Sequence, residues 1–288
     1  MDRDVTVRFY QLKPEGDIVE TAEETLRRIG KVAKRERERD VGNDIRLRLE
    51  MLSERKGLLF GDLTRVQTDN LPGHVTDDEN ARLPVDEIGH SAAFCYEPDT
   101  RYLALQFDQK VGVGRFCNYI ANCVESGHYG HLPVLRDGAL ERFEDEKPTK
   151  FNVKVSGIAN FASVGRSRSD FEDQLEQWSS FFGDADIEII VSKRATSGGV
   201  DKDSVMSTLR RLLQLKEKNP GVTKLGAETM ESDTAFNFIS QLLREKDTLE
   251  LLPNDPALNQ EKRIRFVREM YVQHRAYLRS ISDADRSA

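Results

Sequence analysis

Cysteine is scarce: Cys95, Cys117 and Cys123 are the only three in 288 residues, an odd number that cannot close a disulfide framework. The chain also lacks an apolar leader. Its start, MDRDVTVRFYQL, alternates like a strand, so no secretory signal is expected. Nowhere is there an uninterrupted apolar run near the roughly 18 residues of a membrane-crossing helix, and no membrane insertion is expected. Together these absences favour a reducing, cytoplasmic compartment. Internal repeats and low-complexity tracts are also missing. Lys193-Arg194 followed by Gly198-Gly199 lacks the Gly-Lys-Ser/Thr ending of a phosphate-binding loop, so nucleotide hydrolysis has no support. No serine or cysteine nucleophile with a positioned histidine is evident. The balance leans against an enzyme, and no cofactor or metal is expected.

What is present is a charged but foldable composition. Hydrophobic residues make up 38% and charged residues 32%, the latter above the roughly 25% of an average domain. The length suffices for a real core without staples. The formal net charge is −7, which argues against indiscriminate polyanion binding but leaves room for a local basic face.

The periodicities predict an α+β protein of two domains. The first, residues 1–147, is a strand-rich mixed-sheet domain. Val5–Leu12 is a strand, and Asp17 caps a helix that carries Ile18, Ala22, Leu26, Ile29 and Val32. Ile45–Leu52 and Leu58–Gln67 are strands around a Glu54–Gly57 turn. After a long polar loop, Thr68–Gly89, the strands Ser91–Tyr96 and Tyr102–Phe107 form a hairpin around Glu97-Pro98-Asp99-Thr100. Gly114–Ser126 is a helix. The acidic, turn-rich Asp137–Pro148 marks the boundary. The second domain, residues 148–288, reads β-α-β-α-β: strands Phe151–Ile158, Ile187–Ser192 and Thr223–Thr229, with helices Asp170–Phe182 and Asp201–Lys216 between them. A short helix over Ala235–Leu243 and a long helix over Asn259–Ser282 follow.

The last helix carries the sharpest periodic signal. Ile264, Val267, Tyr271, His274, Leu278 and Ile281 follow 3-4-3-4-3 spacing, the pattern of a dimer seam. Arg265, Arg268, Arg275 and Arg279 each lie one position beyond a seam residue, and Lys262 and Arg263 extend the basic flank. From Lys262 to Arg279 there are six bases against the single acid Glu269. Such a helix either packs its stripe on its own domain with a solvated arginine face, or docks on a second copy while touching phosphates. His274 reads as a hydrogen-bonded, partly buried histidine rather than a ligand.

Other clusters are weaker. Arg27–Arg39 holds seven bases and two acids, mostly the mark of a salt-bridged helix end. Arg166 and Arg168, just before a predicted helix, and Lys193 and Arg194 at a strand end are further phosphate-contact candidates, against the plainer reading of capping loops. Cys117, Cys123, His128 and His131 are close in sequence but fit no zinc spacing. A metal-dependent nuclease would draw on Asp186 and Glu188, which share a strand face that Lys193 does not.

The segments Phe94–Ala104 (FCYEPDTRYLA) and Asp186–Ala195 (DIEIIVSKRA), with the helix, strand and charged helix after them, resemble the phage-exclusion proteins of the RexA type and the DNA-binding subunit of the Kiwa defence system. The likeness runs over about Ser91–Ser282, in element order rather than identity. It implies a homodimeric, non-enzymatic component of bacterial or prophage anti-phage defence that binds double-stranded DNA with little sequence preference, with or without a second defence-system protein. It brings no catalytic residues. The acidic balance and the long Thr68–Gly89 loop depart from it. The alternatives are an interaction sensor or scaffold that binds no nucleic acid, and the nuclease above.

Overall fold

The computed structural model describes residues 2–17, 19–42, 44–69, 71–75, 80–82, 85–124, 128–136, 148–156, 177–183, 185–192, 208–209, 212–213, 222–229, 236–253 and 255–287. The fold is α+β. The chain divides into two compact units, one of residues 1–131 with 244–288 and one of residues 132–243. This corrects the expected division at residue 147. The C-terminal segment returns to the first unit because its apolar stripe and a preceding strand find their partners there.

In the first unit, β1 (Asp2–Glu15), β2 (Glu38–Asp40), β3 (Arg46–Arg55), β4 (Leu58–Gln67), β7 (Ile88–Glu97), β8 (Tyr102–Gln106), β9 (His128–Pro133) and β14 (Arg244–Glu250) form one sheet. Its order is β14-β1-β8-β7-β4-β3-β2, and β9 also pairs with β1. Two short strands, β5 (Gly73–Val75) and β6 (Asn80–Arg82), pair within the segment expected to be a loop. The β3–β4 hairpin turns through Lys56 (φ 53°) and Gly57 (φ 74°), the paired positive φ of a tight turn that matches strand twist. Between Leu49 and Met51 a register shift places Gly61 so close to the Met51 carbonyl that any Cβ would collide with it.

Alternation along the strands divides the sheet into two faces. Leu47, Leu49, Leu59, Leu63, Phe94, Tyr96, Leu103 and Leu105 share a core with α1 (Ala22–Lys31) and α2 (Val113–Cys123). Helix α1 starts at a capping box rather than at Asp17: Thr21 Oγ1 accepts from Glu24 N–H (3.2 Å), and the Glu24 carboxylate accepts from Thr21 N–H (2.8 Å). The opposite face is covered by α3 (Pro256–Ser287), which lies over β4, β7 and β8.

In the second unit, β11 (Ile187–Ser192), β10 (Pro148–Val155), β12 (Val222–Thr229) and β13 (Phe236–Asn237) pair antiparallel in that order. Phe151, Val153 and Val155 alternate into a core with Leu209, Leu212, Leu213, Val222, Leu225 and Phe238. Residues 177–182 are helical, as are 208–209 and 212–213; the rest of both expected helices lies outside the described residues. The short helix expected over Ala235–Leu243 is instead a strand and a turn. The Asn237 side-chain oxygen accepts from the N–H groups of Ile239 (3.1 Å) and Ser240 (3.4 Å), which gives the backbone a local alternative to a helix.

Candidate functional site

The face of the first unit's sheet under α3 is apolar in the middle and charged at both ends. In the middle, Ile264, Phe266, Val267, Tyr271 and Leu278 are buried. Each such side chain stabilises the packing by about 1.5–3 kcal/mol. The stripe expected to be a dimer seam is therefore consumed by the chain's own sheet: Ile264, Val267, Tyr271 and Leu278 are buried, and Ile281 is half-buried. His274 is half-buried on the same side. Its Nε2 lies 2.9 Å from a Glu245 carboxylate oxygen, and its ring meets Phe9 edge-on at 5.2 Å.

At one end stands Glu97, the last residue of β7, with its side chain fully buried. Four groups donate to its carboxylate. Arg275 Nη2 (2.5 Å) and Nε (2.8 Å) and Arg279 Nη2 (2.6 Å) and Nε (3.1 Å) all reach Oε1. Tyr271 Oη (3.0 Å) and Thr100 Oγ1 (3.3 Å) reach Oε2. Burial alone pushes the Glu97 pKa up, but the hydrogen bonds from Arg279, Arg275 and Tyr271 outweigh it and hold the group below the ordinary glutamate value. Burial pushes the Tyr271 phenol well up, so it stays a donor. Two guanidinium groups on one carboxylate leave one positive charge over, at a site where Arg279 keeps 46% of its side chain exposed.

The β3–β4 turn adds to this charge. Arg275 Nη2 donates to the Lys56 carbonyl (3.2 Å), which places the exposed Arg55 and Lys56 beside the arginine pair. Arg268 sits over the Phe60 ring at 5.2 Å, a cation–π contact on the same strand.

The remaining expected contacts divide. Lys262 Nζ donates to the Glu250 carbonyl (2.6 Å), and Arg263 turns in toward Asp62 (3.4 Å). Arg265 is exposed but lines a depression shared with the acidic strand β14. Arg166, Arg168, Lys193 and Arg194 lie outside the described residues. In the Arg27–Arg39 run, Arg27 pairs with Glu54, Arg28 with Glu20, and Arg37 and Arg39 donate to backbone carbonyls, as a salt-bridged helix end should.

At the other end of α3 a cleft of about 700 Å³ opens over Asp62, Thr64 and Ser91. Asp62 is 1% exposed, and its Oδ2 accepts from Gln260 Nε2 (2.9 Å) and Arg263 Nη2 (3.4 Å). Burial raises its pKa, and the nearby Arg263 only partly opposes that. His90 lines the same cleft with its Nε2 2.9 Å from Lys110 Nζ. Burial first, and Lys110 second, lower its pKa.

The sequence reading missed Glu97, Asp62, Arg55 and Lys56. Asp62 carried a signal: it interrupts the apolar strand LLFGDLTRV on a face that must be covered. Glu97 was hidden by its Pro-Asp-Thr neighbours, which read as turn chemistry alone. Of the nuclease set, Asp186 pairs with Lys154 (3.4 Å) and Glu188 accepts from Asn152 (3.0 Å). Cys117 Sγ and His131 Nδ1 lie 4.0 Å apart, both buried. Among the described residues, no three His, Cys, Asp or Glu side chains are grouped to hold a metal. No described helix is long and apolar enough to cross a membrane. The chain matches no protein-family model, no curated protein and no solved structure.

Proposed function

We propose that this protein is a non-enzymatic, double-stranded-DNA-binding component of cytoplasmic bacterial or prophage anti-phage defence. The observation that carries the reading is the pair Arg275 and Arg279, fixed on the buried Glu97 beside Arg55 and Lys56. A cation held in place by a buried carboxylate loses little side-chain freedom when it meets a phosphate, and guanidinium groups match phosphate oxygens in pairs. Phosphate contacts of this kind position a duplex without reading its bases. The resemblance to phage-exclusion and Kiwa-type proteins supports the biological setting and a homodimer. Because the Ile264–Ile281 stripe is buried within the chain, that dimer would form through another surface.

The test is a titration of double-stranded DNA at about 50 and 200 mM salt, where several phosphate contacts produce a steep loss of affinity. The diagnostic variant is Arg55→Glu with Lys56→Glu, since both residues are exposed and the Glu97 network stays intact. Weakened binding in this folded variant is expected. Wild-type protein that fails to bind at either salt overturns the reading. In that case the acidic balance, and the inward turn of Lys262 and Arg263, favour the second reading of an interaction sensor or scaffold that binds no nucleic acid.

A further inference from the structure

A second group of cations lies at the far end of β4 from the Lys56 turn and its arginine pair, on the face of the sheet that α3 does not cover. Arg65 of β4 and His90 of β7 are direct cross-strand partners, on the face where Leu63 and Ala92 join the core with α1 and α2. Lys110 Nζ meets His90 Nε2 at 2.9 Å. A lysine ammonium only donates, so Nε2 accepts and His90 is neutral. Arg115, in the first turn of α2, donates through Nη1 to the carbonyls of Gln109 (3.0 Å) and Lys110 (2.8 Å), which ties it to the same loop.

These cations have little negative charge to answer them. Arg65 and Arg115 are half-buried and Lys110 is exposed. Among the described residues, none of the three forms an ion pair with a carboxylate. Asp108, in the loop before α2, uses Oδ1 to accept from the N–H groups of Lys110 (2.6 Å) and Val111 (3.1 Å). Burial lowers the Arg115 pKa, and Arg65 lowers it further. Burial and then Lys110 lower that of His90, with Arg65 acting in the same direction. Helix α2 adds the same sign of field: Gly112 at its N-cap offers no side chain, and its first turn holds no acid. A half-buried cation without a partner is costly, and an anion is the partner that removes the cost. With His90 neutral, three cations face the single carboxylate of Asp108, and two positive charges are left over. A dianion matches them. Half-buried guanidinium groups also suit the terminal phosphoryl group of a monoester, whereas a diester is singly charged and flanked on both sides.

We propose that Arg65, Lys110 and Arg115 bind the dianionic phosphate of a small-molecule phosphate monoester. Neutral His90 accepts from Lys110 and holds its ammonium beside Arg65. The site is independent of the DNA-binding reading: a duplex held on Arg275 and Arg279 presents singly charged diesters, at the other end of β4 and on the other face.

The experiment is calorimetric titration of the full chain at about pH 7.5, where a monoester is a dianion, with inorganic phosphate and glycerol 3-phosphate, and with dimethyl phosphate as the singly charged diester. Both dianions should bind, and dimethyl phosphate at least about tenfold more weakly, since charge-assisted hydrogen bonds are lost. Arg65→Gln and Lys110→Gln should each weaken phosphate binding by a similar factor at unchanged secondary structure. Lys110 is exposed, so Lys110→Gln carries the test should Arg65→Gln fail to fold. The Arg55→Glu, Lys56→Glu variant should bind phosphate as wild type does. That variant should also bind a 5′-phosphorylated oligonucleotide no better than its 5′-hydroxyl form; a preference for the phosphorylated end would make the ligand a nucleic acid and overturn the small-molecule assignment. No binding of either dianion at about 10 mM, equal binding of the diester, or wild-type affinity in Lys110→Gln would each overturn the proposal. So would a loss of phosphate binding in Arg55→Glu, Lys56→Glu, which would place the anion on the arginine pair of α3.

Discussion

Glu97 and Asp62 are both buried carboxylates under the same helix, yet their surroundings push them in opposite directions. Glu97 receives two arginines, a tyrosine and a threonine, and its folded-state pKa lies below the ordinary value. The stability it supplies is present above the unfolded-state pKa and is lost as pH falls through the folded one. Glu97→Gln should therefore lower stability at neutral pH, by about 3–5 kcal/mol, because two arginines lose their buried counter-charge. The gap between variant and wild type, read from urea midpoints, should close as the pH falls below the carboxylate range; a gap independent of pH would show that Glu97 acts by packing. Asp62 has the reverse sign. Its folded pKa is raised, so it favours the fold below its unfolded-state pKa and costs stability as pH rises through the folded value. The stability of Asp62→Asn relative to wild type should accordingly improve as pH rises from acid to neutral, in the same urea measurements.

At the scale of elements, α3 shows how far periodicity reaches. Its stripe was legible at every position from Ile264 to Ile281, because a 3-4 repeat depends only on helix geometry. What covers the stripe was not legible, because a sheet face and a second helix bury the same residues. Leu278→Ala should cost about 2–5 kcal/mol in the isolated chain, measured by thermal or urea unfolding. If the helix instead drew its stability from a partner copy, that cost would vary with protein concentration. Strand β14 was missed for a related reason: REKDTLE has too few apolar residues to read as a strand, yet as an outer strand it needs only its backbone pairing with β1. The bulge at Leu49–Met51 was also invisible, since it is a feature of two strands at once. Gly61→Ala tests it: the Cβ meets backbone, which cannot swing aside, and a loss of about 1–3 kcal/mol in urea unfolding is expected.

For the whole molecule, the sequence reading gave the right class and two bodies but misplaced their join. A linear reading has no means of recognising that a chain leaves one unit and later returns to it. At the two ends of the second unit, the Leu243 N–H donates to the Val134 carbonyl (2.8 Å), and the Arg136 N–H donates to the Gln241 carbonyl (2.7 Å). The Val134 and Leu243 backbones are hydrogen-bonded neighbours, so a chain in which a two-residue Asn-Gly turn replaces residues 135–242 is the test. The shortened chain should unfold cooperatively, because it retains both faces of the first unit's sheet, α3 and the Glu97 network. It then separates the two groups of phosphate-contact candidates. Arg55, Lys56, Arg275 and Arg279 remain, whereas Arg166, Arg168, Lys193 and Arg194 are gone. Retained DNA affinity with the same salt slope would place the contacts on the first unit. If the slope falls by about one per lost contact, the removed arginines and lysine share the load, and the arginine pair on Glu97 is then chiefly a means of holding α3 on the sheet.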